Sequence, residues 1–225
     1  MATATVAPDT EAVRLVDVVT SAAAPVATDL SEFDRALGGG LVPGSVTLLG
    51  GEPGIGKSTL TLQVAAGQAR RKQRVLLVGA EESSAQVRLR AERLGALVDG
   101  VWLAGDADLD VVVGHLDRLE PDVLVVDSIQ TVYDPAIGGL PGSTTQVRGC
   151  AHRLVGEARR RGTATVLVGH VTKEGSLAGP KVLEHVVDTV VELTGDRHHA
   201  LRLLRVAKHR FGPTDELGLF EMAAD

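Results

Sequence analysis

One glycine-rich stretch, GEPGIGKS at residues 51–58, has the spacing G-x-x-x-x-G-K-S that is typical of a phosphate-binding loop. It follows an apolar run and precedes a helical pattern, so backbone N–H groups at a helix N-terminus would face an anion. Lys57 would reach the β- and γ-phosphates of a nucleotide, and the Ser58 hydroxyl would hold Mg²⁺. The expected binding residues for ATP are Gly51, Glu52, Pro53, Gly54, Ile55, Gly56, Lys57, Ser58 and Thr59.

An aspartate supplies a second magnesium ligand. Asp127 ends the apolar run VLVVD, which is typical of a carboxylate at the end of a buried strand. Taken alone, the segment also fits an aspartate that caps a helix after a strand. With the phosphate loop present, we expect Asp127 to hold Mg²⁺ beside Ser58.

Two adjacent acids are candidates for activating water. Glu81 and Glu82 follow the apolar run 75–78, which we expect directly beside the strand of the phosphate loop. Either acid could instead stabilise the helix that starts near Ser84, because a negative charge near a helix N-terminus interacts favourably with the helix dipole. We expect one of the pair to be catalytic and prefer Glu81.

A histidine follows another buried run. His170 comes after residues 163–169, a strand that we expect near Asp127. A histidine at a strand end can hydrogen-bond a γ-phosphate and signal its loss to the following loop. The alternative is a structural histidine with satisfied hydrogen bonds.

The elements that must position these residues alternate along the chain. Strands and helices that alternate in this way indicate an α/β fold: a mainly parallel, twisted sheet with helices on both faces. Strands from residue 187 onward lack intervening long helices, so we expect an antiparallel C-terminal edge. The predicted strands are 46–49, 75–78, 123–126, 163–168, 187–193 and 201–207, and the predicted helices are 58–71, 84–94, 109–119 and 144–161.

Composition narrows the function classes. The chain has 225 residues, 29 acidic against 23 basic, and a formal net charge of −6, which argues against a nucleic-acid binder that uses its whole surface. One cysteine, Cys150, excludes an internal disulfide or a cysteine-cluster zinc site, and we expect it to be a small core residue. With neither an apolar run of about 20 residues nor a signal pattern, we expect a soluble, cytoplasmic protein without a membrane partner.

The chain is expected to have two parts. Residues 1–27 are expected to form a flexible leader, and residues 28–225 one ATPase domain.

Four segments carry a family resemblance. The stretch LGGGLVPGS at 37–45 looks like a RecA-type P-loop ATPase. The segments DSIQTVY at 127–133, HVTKEG at 170–175 with AGP at 178–180, and KHRFG at 208–212 together resemble the bacterial DNA-repair ATPases of the RadA (Sms) family. The similarity covers about residues 28–222.

This resemblance implies a hexameric, DNA-stimulated ATPase that binds ATP and Mg²⁺. It would bind single-stranded or branched DNA, drive branch migration of recombination intermediates and work with the RecA recombinase. Glu81 then matches the water-activating acid and His170 the γ-phosphate sensor. By the same resemblance, Lys173 and Lys181 match a DNA-facing pore loop, and Lys208, Arg210 and Phe211 belong to a signature that couples DNA to motor action.

The sequence departs from the family pattern in three ways. His209 stands where the family usually has asparagine, and its charge depends on pH. The N-terminal four-cysteine zinc module is expected to be absent because one cysteine cannot build it. The C-terminal domain that resembles the Lon protease is likewise expected to be absent.

Two alternatives remain open from the residues. A nucleotide-dependent signalling or scaffold ATPase, like the KaiC clock proteins, would share this fold and the paired glutamates without moving DNA. A replicative-type helicase core is the second alternative. Stimulation of ATP hydrolysis by DNA separates a DNA motor from the signalling or scaffold ATPase.

Overall fold

The computed structural model describes residues 13–17, 24–170, 180–195 and 200–222 as a mixed α/β fold. A 3-10 helix at Leu15–Asp17 precedes the labelled elements. The strands are β1 (Val46–Gly51), β2 (Val75–Gly79), β3 (Val101–Ala104), β4 (Val123–Asp127), β5 (Ala164–His170), β6 (Thr189–Thr194), β7 (Leu201–His209) and β8 (Leu217–Glu221). The helices are α1 (Ser31–Ala36), α2 (Lys57–Arg70), α3 (Ser84–Arg93), α4 (Leu109–Leu119), α5 (Thr144–Arg161) and α6 (Pro180–Leu183).

The eight strands form one sheet in the order β3-β2-β4-β5-β1-β6-β7-β8. Across the sheet, each strand from β3 through β2, β4, β5 and β1 to β6 is parallel to its neighbour. The β6–β7 and β7–β8 pairings are antiparallel. The predicted α/β class and its antiparallel C-terminal edge are therefore confirmed.

Two details of the sheet differ from the sequence prediction. The sequence predicts β6 in the antiparallel edge, but β6 runs parallel to β1, and the antiparallel part begins only at β7. The sequence also predicts β2 beside β1, but β4 and β5 lie between them. The glutamates that follow β2 must therefore reach the phosphate loop across the ends of two intervening strands.

Apolar side chains of the central strands pack on both faces of the sheet. In β4, Val125 belongs to the cluster under α2, while Leu124 and Val126 belong to the cluster under α4 and α5. A strand buried on both faces needs a continuous apolar run, and β4 has one. Cys150 of α5 is fully buried in the second cluster, as expected, and burial raises its thiol pKa to about 11.

No helix in the described ranges is both long enough and apolar enough to cross a membrane.

Candidate functional site

The glycine-rich loop connects the end of β1 to the start of α2, at the carboxyl edge of the sheet. Gly54 and Gly56 have φ angles of +78° and +113°, which L side chains rarely adopt. A Cβ on Gly51 would lie 2.6 Å from the carbonyl oxygen of Leu193 in β6. The glycines therefore give the loop both its backbone shape and its close contact with the sheet.

The side chain of Lys57 is folded over this loop. Its Nζ atom donates hydrogen bonds to the carbonyl oxygens of Gly51 and Glu52, each at 2.9 Å, and the residue is only 4% exposed. Burial lowers the pKa of Lys57, while the carboxylates of Asp127 and Glu81 partly oppose that effect. The loop thus holds a cation where a bound phosphate would place negative charge.

Asp127 and Ser58 form the oxygen pair that the sequence predicts. Asp127 ends β4 opposite Gly79 of β2, and its side chain lines the same cavity as Ser58. Burial raises the pKa of Asp127, and the nearby Ser58 side chain opposes that effect.

These two residues fit Mg²⁺, which prefers oxygen ligands and usually takes one or two protein groups together with phosphate and water. The described residues contain no cluster of three or more His, Cys, Asp or Glu side chains that could hold a metal by themselves. A magnesium ion here would therefore depend on phosphate oxygens for part of its coordination.

The structure separates the two adjacent glutamates. Glu81 Oε1 accepts a hydrogen bond from Ser128 Oγ and lies 3.1 Å from His170 Nε2. Glu82 instead makes an ion pair with Arg90 of α3. Glu81 is thus joined to the ends of β4 and β5, whereas Glu82 is held by the helix that follows it.

Opposing effects act on the Glu81 carboxyl group. Burial raises its pKa, but the hydrogen bonds from Ser128 and His170 and the charge of Lys57 together produce a net lowering. The carboxylate form, which can accept a proton, is therefore favoured. Both hydrogen bonds go to Oε1, and within the described chain no bond occupies Oε2.

His170 ends β5 directly opposite Gly51 in the parallel register with β1. Its Nδ1 atom is buried and has no hydrogen-bond partner among the described residues. The sequence predicts that His170 lies near Asp127, but it does not predict the contact with Glu81.

The sequence alone predicts no role for Ser128. The residue is fully buried directly after Asp127, and its hydroxyl binds Glu81. The one sequence signal that could have pointed to Ser128 is its place in the DSIQTVY segment, which carries the family resemblance.

The segment 208–212 makes its described contacts within the chain. Lys208 Nζ donates to the carbonyl oxygens of Glu184 and Val187, and Arg210 pairs with Asp188 at 3.2 Å. Phe211 is half exposed. Lys173 lies outside the described residues, and Lys181 lies on α6 without a described side chain.

His209, the departure from the family pattern, is integrated into the fold. Its Nδ1 atom lies 3.0 Å from Thr189 Oγ1, and its Nε2 atom lies 3.2 Å from the Leu37 carbonyl oxygen. The ring of Phe211 lies against it in an edge-to-face arrangement. The imidazole therefore joins β6 and β7 to the end of α1.

Comparisons with known proteins agree with this geometry. The family described as AAA domain matches residues 10–176. Proteins named DNA repair protein RadA are similar to the chain. The match is 50% identical over 210 residues in Streptococcus pyogenes serotype M6, covering 93% of this chain and 46% of that protein. It is 48% identical over 213 residues in Streptococcus pneumoniae (95% and 50%) and 48% over 208 residues in Bacillus subtilis (92% and 45%). The chain spans about half the length of the curated relatives it matches.

Proposed function

Because the chain belongs to the RadA family of AAA-domain proteins, we propose that it binds ATP with Mg²⁺ and hydrolyses it as the motor core of a DNA-repair protein. The observation that carries this proposal is the meeting of five side chains at the carboxyl edge of the sheet. β1, β4 and β5 and the loop after β2 contribute these groups. They comprise a lysine at the phosphate loop, two oxygen groups that would bind a metal, a carboxylate that would act as the base, and a histidine. Those side chains are Lys57, Ser58, Glu81, Asp127 and His170.

The phosphate loop and Lys57 bind the triphosphate. Backbone N–H groups at the start of α2 face the phosphate oxygens, and the Lys57 ammonium neutralises their charge. The Ser58 hydroxyl and the Asp127 carboxylate would hold Mg²⁺. When bound, that ion would supply positive charge that stabilises the negative charge of the phosphate groups.

Glu81 acts as the general base in this proposal. Ser128 and His170 fix its Oε1 atom, so that Oε2 can accept the proton of the attacking water. His170, opposite Gly51, would share its Nε2–H between Glu81 and a γ-phosphate oxygen. Release of that phosphate would then change the bond between His170 and Glu81.

The proposal also assigns residues that would couple DNA binding to ATP hydrolysis. Lys173 and Lys181 would face DNA in the pore of a hexameric ring, and Lys208, Arg210 and Phe211 would transmit DNA contact to hydrolysis. By family resemblance, the ring would bind single-stranded or branched DNA and drive branch migration of recombination intermediates alongside the RecA recombinase. Relatives named for DNA repair support this reading, and they do not favour the scaffold alternative.

The test is steady-state ATP hydrolysis with Mg²⁺, with and without single-stranded DNA, at low and moderate salt. We expect hydrolysis that DNA stimulates, and stimulation that falls with salt because phosphate contacts release counterions. Lys57→Ala should abolish turnover because it removes the cation from the loop. Undiminished hydrolysis in that variant would overturn the assignment of the site.

A further inference from the structure

One face of the C-terminal hairpin, formed by β7 and β8, lies beyond the helices that cover the rest of the sheet. On the opposite face of the hairpin, Phe33 of α1 packs with Leu204 and Val206 in the cluster under α2. On the side of the second cluster, α4, α5 and α6 pack against β2, β5 and β1. Because β7 and β8 are the last two strands of the sheet, that layer of helices ends before it reaches them.

This outer face carries leucines where a solvated sheet face normally has polar residues. Leu201, Leu217 and Leu219 are 59%, 42% and 57% exposed, and Leu203 is half-buried. Leu203 lies directly opposite Leu219 in the β7–β8 register. Leu201 and Leu217 lie two positions further along their strands, on the same side of the sheet. The four side chains form one apolar patch, the leucine face, and such patches mark interaction surfaces.

Two charged residues lie at opposite ends of the leucine face. Glu221 lies opposite Leu201 at one end, and Arg205 lies opposite Leu217 at the other. Both are exposed, and within the described part of the chain neither makes a hydrogen bond or an ion pair. They are separated by about 13 Å along the strands, too far to pair with each other. Each charge is therefore available to a partner that covers the leucines.

The outer edge of β8 is already occupied. The N–H group of Leu219 donates to a Glu32 carboxylate oxygen of α1 at 2.9 Å, and Arg35 of α1 donates to the Leu217 carbonyl oxygen. These bonds engage backbone groups with which a further strand would pair. A partner of the hairpin therefore approaches it through the leucine face and not through the edge.

We propose that the leucine face binds the same face of a second copy of this chain. A two-fold axis that crosses the strands at right angles, over the Leu203–Leu219 pair, exchanges the two ends of the face. It brings Arg205 of each copy to the end where the other copy has Glu221. The leucines of both copies pack in the centre, as in two sheets stacked face to face about 10 Å apart. Two equivalent ion pairs then close the ends of the interface.

The charges select this orientation over the other simple one. A two-fold axis parallel to the strands would keep the ends of the face in place. The two copies of Arg205 would then lie side by side at one end, and the two copies of Glu221 at the other. Like charges that are brought together in an interface oppose association. The positions of Arg205 and Glu221 therefore fit a second copy in one arrangement only.

The contact is small, since it involves about five residues of each of two strands. Standard interfaces bury about 800 Å² per partner, and this one is smaller, so we expect a dissociation constant on the order of 10 μM or above. A two-fold contact joins two copies only, and it is therefore distinct from the head-to-tail contacts that close a ring. It requires no nucleotide, and the inference does not rest on the proposed function.

The experiment is sedimentation equilibrium of the full chain without nucleotide, over a range of protein concentrations. The variants are Arg205→Glu, Glu221→Arg and the double variant with both changes. We expect each single reversal to raise the dissociation constant of the dimer at least about tenfold, because it places like charges at both ends. The double variant should recover dimerisation, because opposite charges meet again. The control is Arg148→Glu, the same charge change at an exposed position of α5, which should dimerise normally.

A second substitution tests the apolar centre. Leu219→Ser removes a leucine from the middle of the interface in both copies and should also weaken the dimer by at least about tenfold, through lost apolar burial. Leu219 is exposed in the single chain, so the change costs little in folding.

Three results would overturn the inference. A chain that stays monomeric up to its solubility limit does not bind a second copy, and the leucine face then serves a different partner. A dimer that the single reversals leave intact, or that the double variant does not restore, forms through another surface or in another orientation. An assembly of any size other than two copies contradicts the two-fold arrangement.

Discussion

His170 Nε2 lies 3.1 Å from Glu81 Oε1, although the two residues are 89 positions apart in the chain. β2 and β5 are not neighbours in the sheet, because β4 lies between them. The two side chains therefore meet across the end of β4, where Ser128 adds a second hydrogen-bonding group to the same oxygen of Glu81. The carboxylate is therefore oriented by residues at the ends of β4 and β5 rather than by its own loop.

The two adjacent glutamates should respond differently to the same substitution. Glu81→Gln removes the base that faces the phosphate loop, so we expect ATP hydrolysis to fall by about 10²- to 10⁴-fold while ATP still binds. Glu82→Gln weakens only an ion pair with Arg90 and should retain most of the activity. Turnover numbers and ATP affinity of the two variants check this prediction. Comparable losses of turnover in both would contradict the assignment of Glu81.

The pH dependence of hydrolysis should depend on Ser128. Its hydroxyl donates to Glu81 and lowers the pKa of that carboxyl group. Ser128→Ala removes the bond, so the pKa of Glu81 rises and the carboxylate takes up a proton at a higher pH. We therefore expect the acid limb of the pH–rate profile to move to higher pH, with activity better preserved at neutral pH than at acidic pH.

Thr131→Val is the matched control for this experiment. Thr131 Oγ1 donates to the Ser128 carbonyl oxygen at 2.7 Å, so the substitution changes the same turn without removing a bond to Glu81. Its acid limb should stay in place. An equal displacement in both variants, or none in Ser128→Ala, would show that the Ser128 hydroxyl does not tune the base.

The sequence predicted those parts of the molecule in which a local pattern corresponds to a local structure. The phosphate loop and the Asp127 strand have fixed spacings and continuous apolar runs, and both lie where expected. β3 was not predicted because it is a four-residue edge strand with Trp102 and Leu103 exposed, so it lacks a buried apolar run. The choice between Glu81 and Glu82 depends on partners 47 and 8 positions away, Ser128 and Arg90, which no local pattern specifies.

Arg210 should matter for DNA-coupled hydrolysis beyond its ion pair with Asp188. In the proposed motor, Arg210→Ala leaves ATP binding intact but removes a cation from the coupling segment, so stimulation by DNA should be lost. Arg159→Ala is the matched control because Arg159 binds the same Asp188 Oδ1, at 3.1 Å, from outside that segment. We expect Arg159→Ala to retain stimulation. If both variants lose stimulation by DNA to the same extent, the loss comes from the buried Asp188 carboxylate, which then lacks one of its two arginine partners. If Arg210→Ala retains stimulation, the proposed coupling role is wrong.

Two helical glycines should respond oppositely to alanine. A Cβ on Gly67 of α2 would lie 1.8 Å from the Thr28 carbonyl oxygen, and Thr28 cannot easily move because its N–H and hydroxyl both bind the Asp34 carboxylate. We expect Gly67→Ala to lower the free energy of unfolding by about 1–3 kcal/mol, as overpacking usually does. A methyl group added at Gly156 of α5 would have no described atom within 4 Å apart from its own helix backbone, so Gly156→Ala should raise that free energy by about 0.5–1 kcal/mol through helix propensity. Urea unfolding of both variants checks the pair, and a stabilising Gly67→Ala would show that the N-terminal segment at Thr28 does not pack against α2.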